Sequence, residues 1–90
     1  MRTIWKFKLE PDSKTNVFFM PKGAVVLTVQ PQKHTDSVCM WAMVEDTNEV
    51  ERRVFQIVGT GHELPNRPVR YVATFQVDNG SLVFHVFEVA

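Results

Sequence analysis

The dipeptide Asn79-Gly80 sits between two runs of alternating apolar residues, Val72 to Asp78 before it and Ser81 to Phe87 after it. This is the strongest short-range signal for a β-hairpin, because Asn and Gly tolerate the left-handed backbone that a two-residue type I′ turn demands. With Asp78 paired to Ser81, Val77 faces Leu82, Phe75 faces Phe84 and Ala73 faces Val86, so one face of the hairpin is wholly apolar. The other face carries Val72, Thr74, Gln76, Val83, His85 and Phe87, with His85 directly across from Thr74. A slip of one residue would exchange the faces, so burial of the apolar one fixes the register.

The same period of two recurs upstream. Trp5, Phe7 and Leu9 alternate with Ile4, Lys6 and Lys8 over Thr3 to Leu9, and Pro11-Asp12-Ser13 then breaks the strand. Asn16 to Met20, the turn Pro21-Lys22-Gly23 and Ala24 to Gln30 read as a second hairpin, with Val25, Leu27 and Val29 opposed to Val26, Thr28 and Gln30. Pro31 to Asp36 is a polar loop. Ser37 to Glu45 reads as a strand with Cys39, Trp41 and Met43 on one face and Val38, Met40, Ala42 and Val44 on the other, although a short helix also fits that spacing. Apolar character on both faces marks a central strand or one covered by a partner. After a charged connection from Asp46 to Glu51, Arg52 to Val58 sets Arg53, Phe55 and Ile57 opposite Val54, Gln56 and Val58. Gly59 to Pro68, with two Gly and two Pro, is a long loop of the kind that often carries function.

Seven short strands in a chain of 90 residues allow one all-β domain spanning 1–90, either a small antiparallel barrel or a bent sandwich. Seven Phe and two Trp supply its core. Ten basic residues balance ten acidic ones, so no net field steers the chain toward nucleic acid or an anionic membrane. The single Cys39 forms no intrachain disulfide, and no apolar leader or membrane span opens the chain, so the expectation is a cytoplasmic protein with Cys39 a buried thiol.

Catalytic chemistry finds little support. His34, His62 and His85 lie at no ligand spacing, so no metal and no cofactor are expected, and no nucleophile elbow or carboxylate pair is present. Two groups invite a binding reading. Gly59-Thr60-Gly61-His62 offers backbone and side-chain donors to an anion, and Arg52, Arg53, Arg67 and Arg70 flank that loop with planar guanidinium groups. Trp41 and Met43 offer an adaptable apolar contact surface to a partner protein.

Several blocks together resemble a family of short, uncharacterised phage and prophage proteins: Ile4-Trp5-Lys6-Phe7, Met20-Pro21-Lys22-Gly23-Ala24, Trp41-Ala42-Met43-Val44, Phe55 to His62, Thr74-Phe75-Gln76 and Leu82 to Glu88. The resemblance implies a small accessory protein made inside a bacterial host, and it assigns no catalytic residue. The leading expectation is a non-enzymatic protein that binds a host or phage protein, with counter-defence as one role, through Trp41, Met43 and the Gly59 to Pro68 loop. A homodimer over the same surface is a further expectation. The alternative is a sponge that holds a nucleotide-like anion on the glycine loop with the four arginines.

Overall fold

The computed structural model describes residues 1–35 and 37–90; Asp36, the last residue of the expected polar loop, lies outside the described residues. Seven strands form: β1 (Arg2–Leu9), β2 (Thr15–Pro21), β3 (Val25–Pro31), β4 (Val38–Glu45), β5 (Val50–Gly59), β6 (Val69–Val77) and β7 (Leu82–Val89). They make a three-stranded sheet ordered β1-β4-β3 and a four-stranded sheet ordered β2-β5-β7-β6, antiparallel at every pairing. Neither sheet closes on itself, so of the two expected architectures the fold is the bent sandwich. Among the described residues the only helical element is a 3-10 turn at Asp78–Gly80, and residues 38–45 are strand.

Alternation explains the packing. Leu9, Val29, Val38, Met40, Ala42 and Val44 on the inner face of one sheet meet Met20, Phe55, Ile57, Phe75 and Val86 on the inner face of the other. β4 is the middle strand of its sheet, which is why it is apolar on both faces. Its Val38, Met40, Ala42 and Val44 are buried against the core, while Trp41 and Met43 are half-buried on the outer face between β1 and β3.

The closing hairpin keeps the register that its sequence predicts, with Val77 opposite Leu82, Phe75 opposite Phe84, Thr74 opposite His85 and Ala73 opposite Val86. Its turn is left-handed over one more residue than expected. Asn79 (φ 56°, ψ 31°) and Gly80 (φ 85°) have type I′ dihedrals, but Asp78 is also at φ 54°, so the ladder ends at Val77 and Leu82 rather than at Asp78 and Ser81. Ser81 N–H and Oγ both donate to the Asp78 carbonyl, at 3.1 and 2.8 Å, and close the turn.

Two bulges correct the expected faces. In β6 the register shifts between Tyr71 and Ala73, so Val72 joins Ala73 against the core instead of standing on the outer face. Tyr71 then pairs with Phe87, and Arg70 comes opposite Glu88. In β3 the shift at Leu27 turns Val29 inward while Val25 and Leu27 stay exposed, so these three do not share a face.

The expected hairpin of β2 with β3 does not form; the chain changes sheets at that turn, β2 pairing with β5 and β3 with β4. The backbone of the turn is already committed. Lys22 N–H donates to the Glu49 carbonyl at 2.7 Å, and Asn48 Nδ2 donates to the Lys22 carbonyl at 3.0 Å, which extends the β2–β5 pairing past Pro21. The β1–β2 connection also crosses between sheets, held by the buried amide of Asn16. That side chain accepts from Glu10 N–H at 2.8 Å and donates to the Glu10 and Ser13 carbonyls.

Candidate functional site

The four-stranded sheet places β5 parallel to β6 with β7 between them, so residues 60–68 must cross over β7. The crossing is pinned at both ends. At its start Thr60 Oγ1 lies 2.8 Å from His85 Nε2, His85 Nδ1 lies 3.0 Å from Thr74 Oγ1, and Thr74 Oγ1 lies 2.8 Å from the Tyr71 hydroxyl. Both ring nitrogens of His85 thus meet a hydroxyl, Thr60 on one side and Thr74 on the other, and the tautomer sets which donates. At its end the Arg67 guanidinium donates to the Ala90 carbonyl, and Ala90 N–H donates to the Pro68 carbonyl at 3.1 Å.

Within the glycine loop only Gly61 adopts positive φ, at 85°. Gly59 has ordinary φ, and its missing side chain lets the exposed His62 imidazole lie against bare backbone, where a Cβ would meet Nδ1 at 3.0 Å. Asp12, Lys14 and Glu63 join His62 around a shallow cavity of about 250 Å³.

The four arginines do not gather at that loop. Arg53 lies six residues before Gly59 on β5, a separation of about 20 Å along the strand. Its side chain turns inward, is 9% exposed, and donates from Nε and a terminal nitrogen to both oxygens of Glu88 at 2.6 and 2.7 Å. The other terminal nitrogen donates to the Ala24 carbonyl at 2.6 Å, and the guanidinium carbon stands 5.8 Å from the Phe55 ring centre. Arg70 donates to the same Glu88 carboxylate at 2.8 Å from the solvent side. These bonds hold the Glu88 carboxyl below its ordinary range, chiefly through Arg53 and also through Arg70, against the opposing effect of burial. Donating to Glu88 likewise raises the Arg53 guanidinium. Arg52 points to the opposite face beside Phe19, and Arg67 is spent on Ala90. Ala24, Val25, Val26, Tyr71 and Val72 wall a cavity of about 250 Å³ over the Arg53–Glu88–Arg70 cluster.

The outer face of the three-stranded sheet has a different chemistry. Strand register sets Ile4, Met43 and Val25 in one row and Lys6, Trp41 and Thr28 in the next, with the bulged Leu27 beside them. Ile4, Val25 and Leu27 are 57%, 50% and 51% exposed. Lys8, Cys39 and Gln30 form the third row, where the buried Cys39 thiol donates to Gln32 Oε1 at 3.5 Å and Lys6 Nζ donates to the same oxygen at 3.3 Å. The patch is therefore apolar at one end and polar and basic at the other.

One family model matches the sequence over its whole span, residues 1–90. The chain belongs to the family of a domain of unknown function, DUF7352. No curated protein and no solved structure matches it. In this DUF7352 domain no helix among the described residues is long and apolar enough to cross a membrane.

Two features of the domain were not singled out from sequence. Glu88 is the hub of the arginine cluster, and its signal was an acidic residue at an inward position of an apolar strand, matched by Arg53 at an inward position of β5. Ala24 contributes only its carbonyl, for which the side chain offers no signal. The glycine loop and the Trp41 patch, expected to form one surface, lie on different sheets.

Proposed function

We propose that this domain is a non-enzymatic binding module that engages another protein through the outer face of its three-stranded sheet. The observation that carries this reading is the apolar row in which the exposed Ile4 and Val25 flank the half-buried Met43, extended by the exposed Leu27 and the half-buried Trp41. Apolar side chains contiguous across three strands raise the cost of leaving a surface wet, and such patches mark interaction sites. Lys6 and Lys8 border it, so the complementary surface has an apolar centre and acidic residues along one side. The likeness to phage and prophage proteins supplies the setting, a host or phage protein inside a bacterial cell, with counter-defence as the role. The test compares the wild-type chain with Ile4→Asp/Leu27→Asp in cross-linked capture from host lysate, followed by titration of the captured protein. A partner that binds the wild type, ignores the double variant and weakens with Lys6→Glu/Lys8→Glu supports the reading. Equal capture by wild type and double variant, at unchanged folding, overturns it.

The exposed guanidinium of Arg70 on the rim of the corner cavity supports a second reading, a sponge for a nucleotide-like anion. An incoming anion would have to compete with Glu88 for both Arg53 and Arg70. Calorimetry against linear and cyclic nucleotides decides it: binding that Arg70→Ala abolishes supports the sponge, and no heat with any member removes it.

A further inference from the structure

Each sheet has two outer strands, and three of these four are guarded. β3 and β6 lie beside one another at the corner over Arg53, and β1 carries Arg2, Lys6 and Lys8, the kind of charge that keeps a strand edge from pairing. β2 has no such guard. Its sequence Thr15-Asn16-Val17-Phe18-Phe19-Met20-Pro21 holds no ionisable side chain, and on its outer face Phe19 is 63% and Val17 39% exposed.

The hydrogen bonds at the two ends of β2 fix which backbone groups are free. Ile57 N–H donates to the Lys14 carbonyl at 3.0 Å and Lys22 N–H donates to the Glu49 carbonyl at 2.7 Å. Antiparallel strands bond at alternate residues, so in the register from Thr15 opposite Gln56 to Pro21 opposite Val50 the even-numbered residues face β5. Thr15, Val17 and Phe19 therefore turn N–H and C=O outward, whereas Pro21 has no N–H and its carbonyl already accepts from Ala24 N–H at 3.1 Å.

On the inner side an aromatic row runs out to the same flank. Phe55 lies 6.1 Å from Phe18, Phe18 lies 5.3 Å from Phe7, and Phe7 lies 6.4 Å from Trp5, measured between ring centres. Phe55 is fully buried, Phe18 and Phe7 are half-buried and Trp5 is exposed, so the core thins toward the β1–β2 side.

We propose that β2 pairs antiparallel with β2 of a second copy, with Phe18 on the two-fold axis, joining two four-stranded sheets into one. A two-fold interface must be complementary to itself, and a strand without charge meets that condition without repulsion. With Phe18 on the axis, all seven residues of β2 pair: Val17 opposes the partner's Phe19, Asn16 opposes the partner's Met20 and Thr15 opposes the partner's Pro21. Val17 and Phe19 exchange hydrogen bonds in both directions, and the ladder stops at Pro21, which has no N–H for the partner's Thr15 and whose carbonyl is already bonded to Ala24 N–H. An axis at Val17 instead sets Met20 against the partner's Lys14, drawing a lysine from each copy into the seam. The Phe18 axis also places Phe18 beside the partner's Phe18 and continues the aromatic row across the interface.

Sedimentation of the full chain at rising concentration tests this, with Val17→Lys, Phe19→Thr and, on the other sheet, Leu27→Lys. The wild type should approach twice its 10.4 kDa mass, Val17→Lys and Phe19→Thr should associate about tenfold more weakly, and Leu27→Lys should match the wild type. Phe19→Thr keeps strand propensity, so it stands alone if Val17→Lys fails to fold. The register is read from disulfides: oxidised Val17→Cys/Phe19→Cys should cross-link between chains, Val17→Cys alone should not, and Cys39 is buried away from the seam. A wild type that stays at 10.4 kDa into the high micromolar range overturns the proposal, whether or not a foreign strand then occupies the edge. So does a dimer that Leu27→Lys dissociates and the β2 variants do not, or cross-linking by Val17→Cys alone.

Discussion

The corner between Ala24 and Glu88 buries charge, and the outer face of the three-stranded sheet exposes apolar side chains, each the reverse of what its position favours. The difference lies in how completely each is satisfied. Arg53 is ringed by the Glu88 carboxylate, the Ala24 carbonyl and the Phe55 ring, so its burial leaves no polar atom without a partner. Ile4, Val25 and Leu27 have neighbours on their own sheet and nothing above them within the described chain. A feature whose cost is fully compensated internally is a building joint, whereas one whose cost is left standing points outward to a partner.

That contrast is broken most directly at Glu88. Glu88→Gln should cost about 3 kcal/mol in urea unfolding, because it strands a buried guanidinium. Arg53→Met/Glu88→Leu should recover most of that loss, since a well-packed apolar pair replaces an ionic one at little net cost. A double variant no better than the single one would mean that the joint holds the sheets by charge alone.

The pH dependence sharpens the same point. Glu88 is held below its ordinary value of 4.5, so below that value the unfolded chain binds a proton that the native carboxylate does not. The stabilisation from the Arg53 and Arg70 bonds is full above pH 4.5 and is lost as pH falls through the depressed value. Unfolding free energy measured from pH 6 down to about pH 3 should fall less steeply in Glu88→Gln than in the wild type.

A smaller effect compares the two outer faces. The four-stranded sheet carries a crossover latched by Thr60 on His85, and the three-stranded sheet carries none. Thr60→Val should cost about 1 kcal/mol and speed amide exchange over residues 60–68, with the core amides unchanged. Smallest of all, Ile4→Asp and Leu27→Asp should each shift stability by no more than about 0.5 kcal/mol, as expected where a side chain packs against solvent. A loss several times larger would show that the patch is part of the core and would remove the contrast.

Legibility in the sequence followed the distance over which partners are chosen. The β6–β7 register was readable because turn chemistry and alternation act within a few residues of Asn79-Gly80. Strand positions were readable for the same reason. The partner of β2 was not, because its competition between β3 and β5 is settled by Glu49 and Asn48, far along the chain. The bulges at Leu27 and Val72 left no composition signal, yet the second determines which of Tyr71 and Arg70 reaches Glu88. The Trp41 and Met43 face followed from alternation alone, whereas the arginine cluster needed the inward positions of β5 and β7 to be matched across two strands.

The place of β7 in the larger sheet has a bearing on timing. It comes last in chain order among the seven described strands, and it lies between β5 and β6, which have no direct ladder with each other. Until it is in place, β6 has no partner in its sheet, and Phe75 and Ile57 have no Val86 to pack on. The larger sheet thus cannot close until Leu82–Val89 is available, and a chain truncated before Leu82 should lack a cooperative unfolding transition.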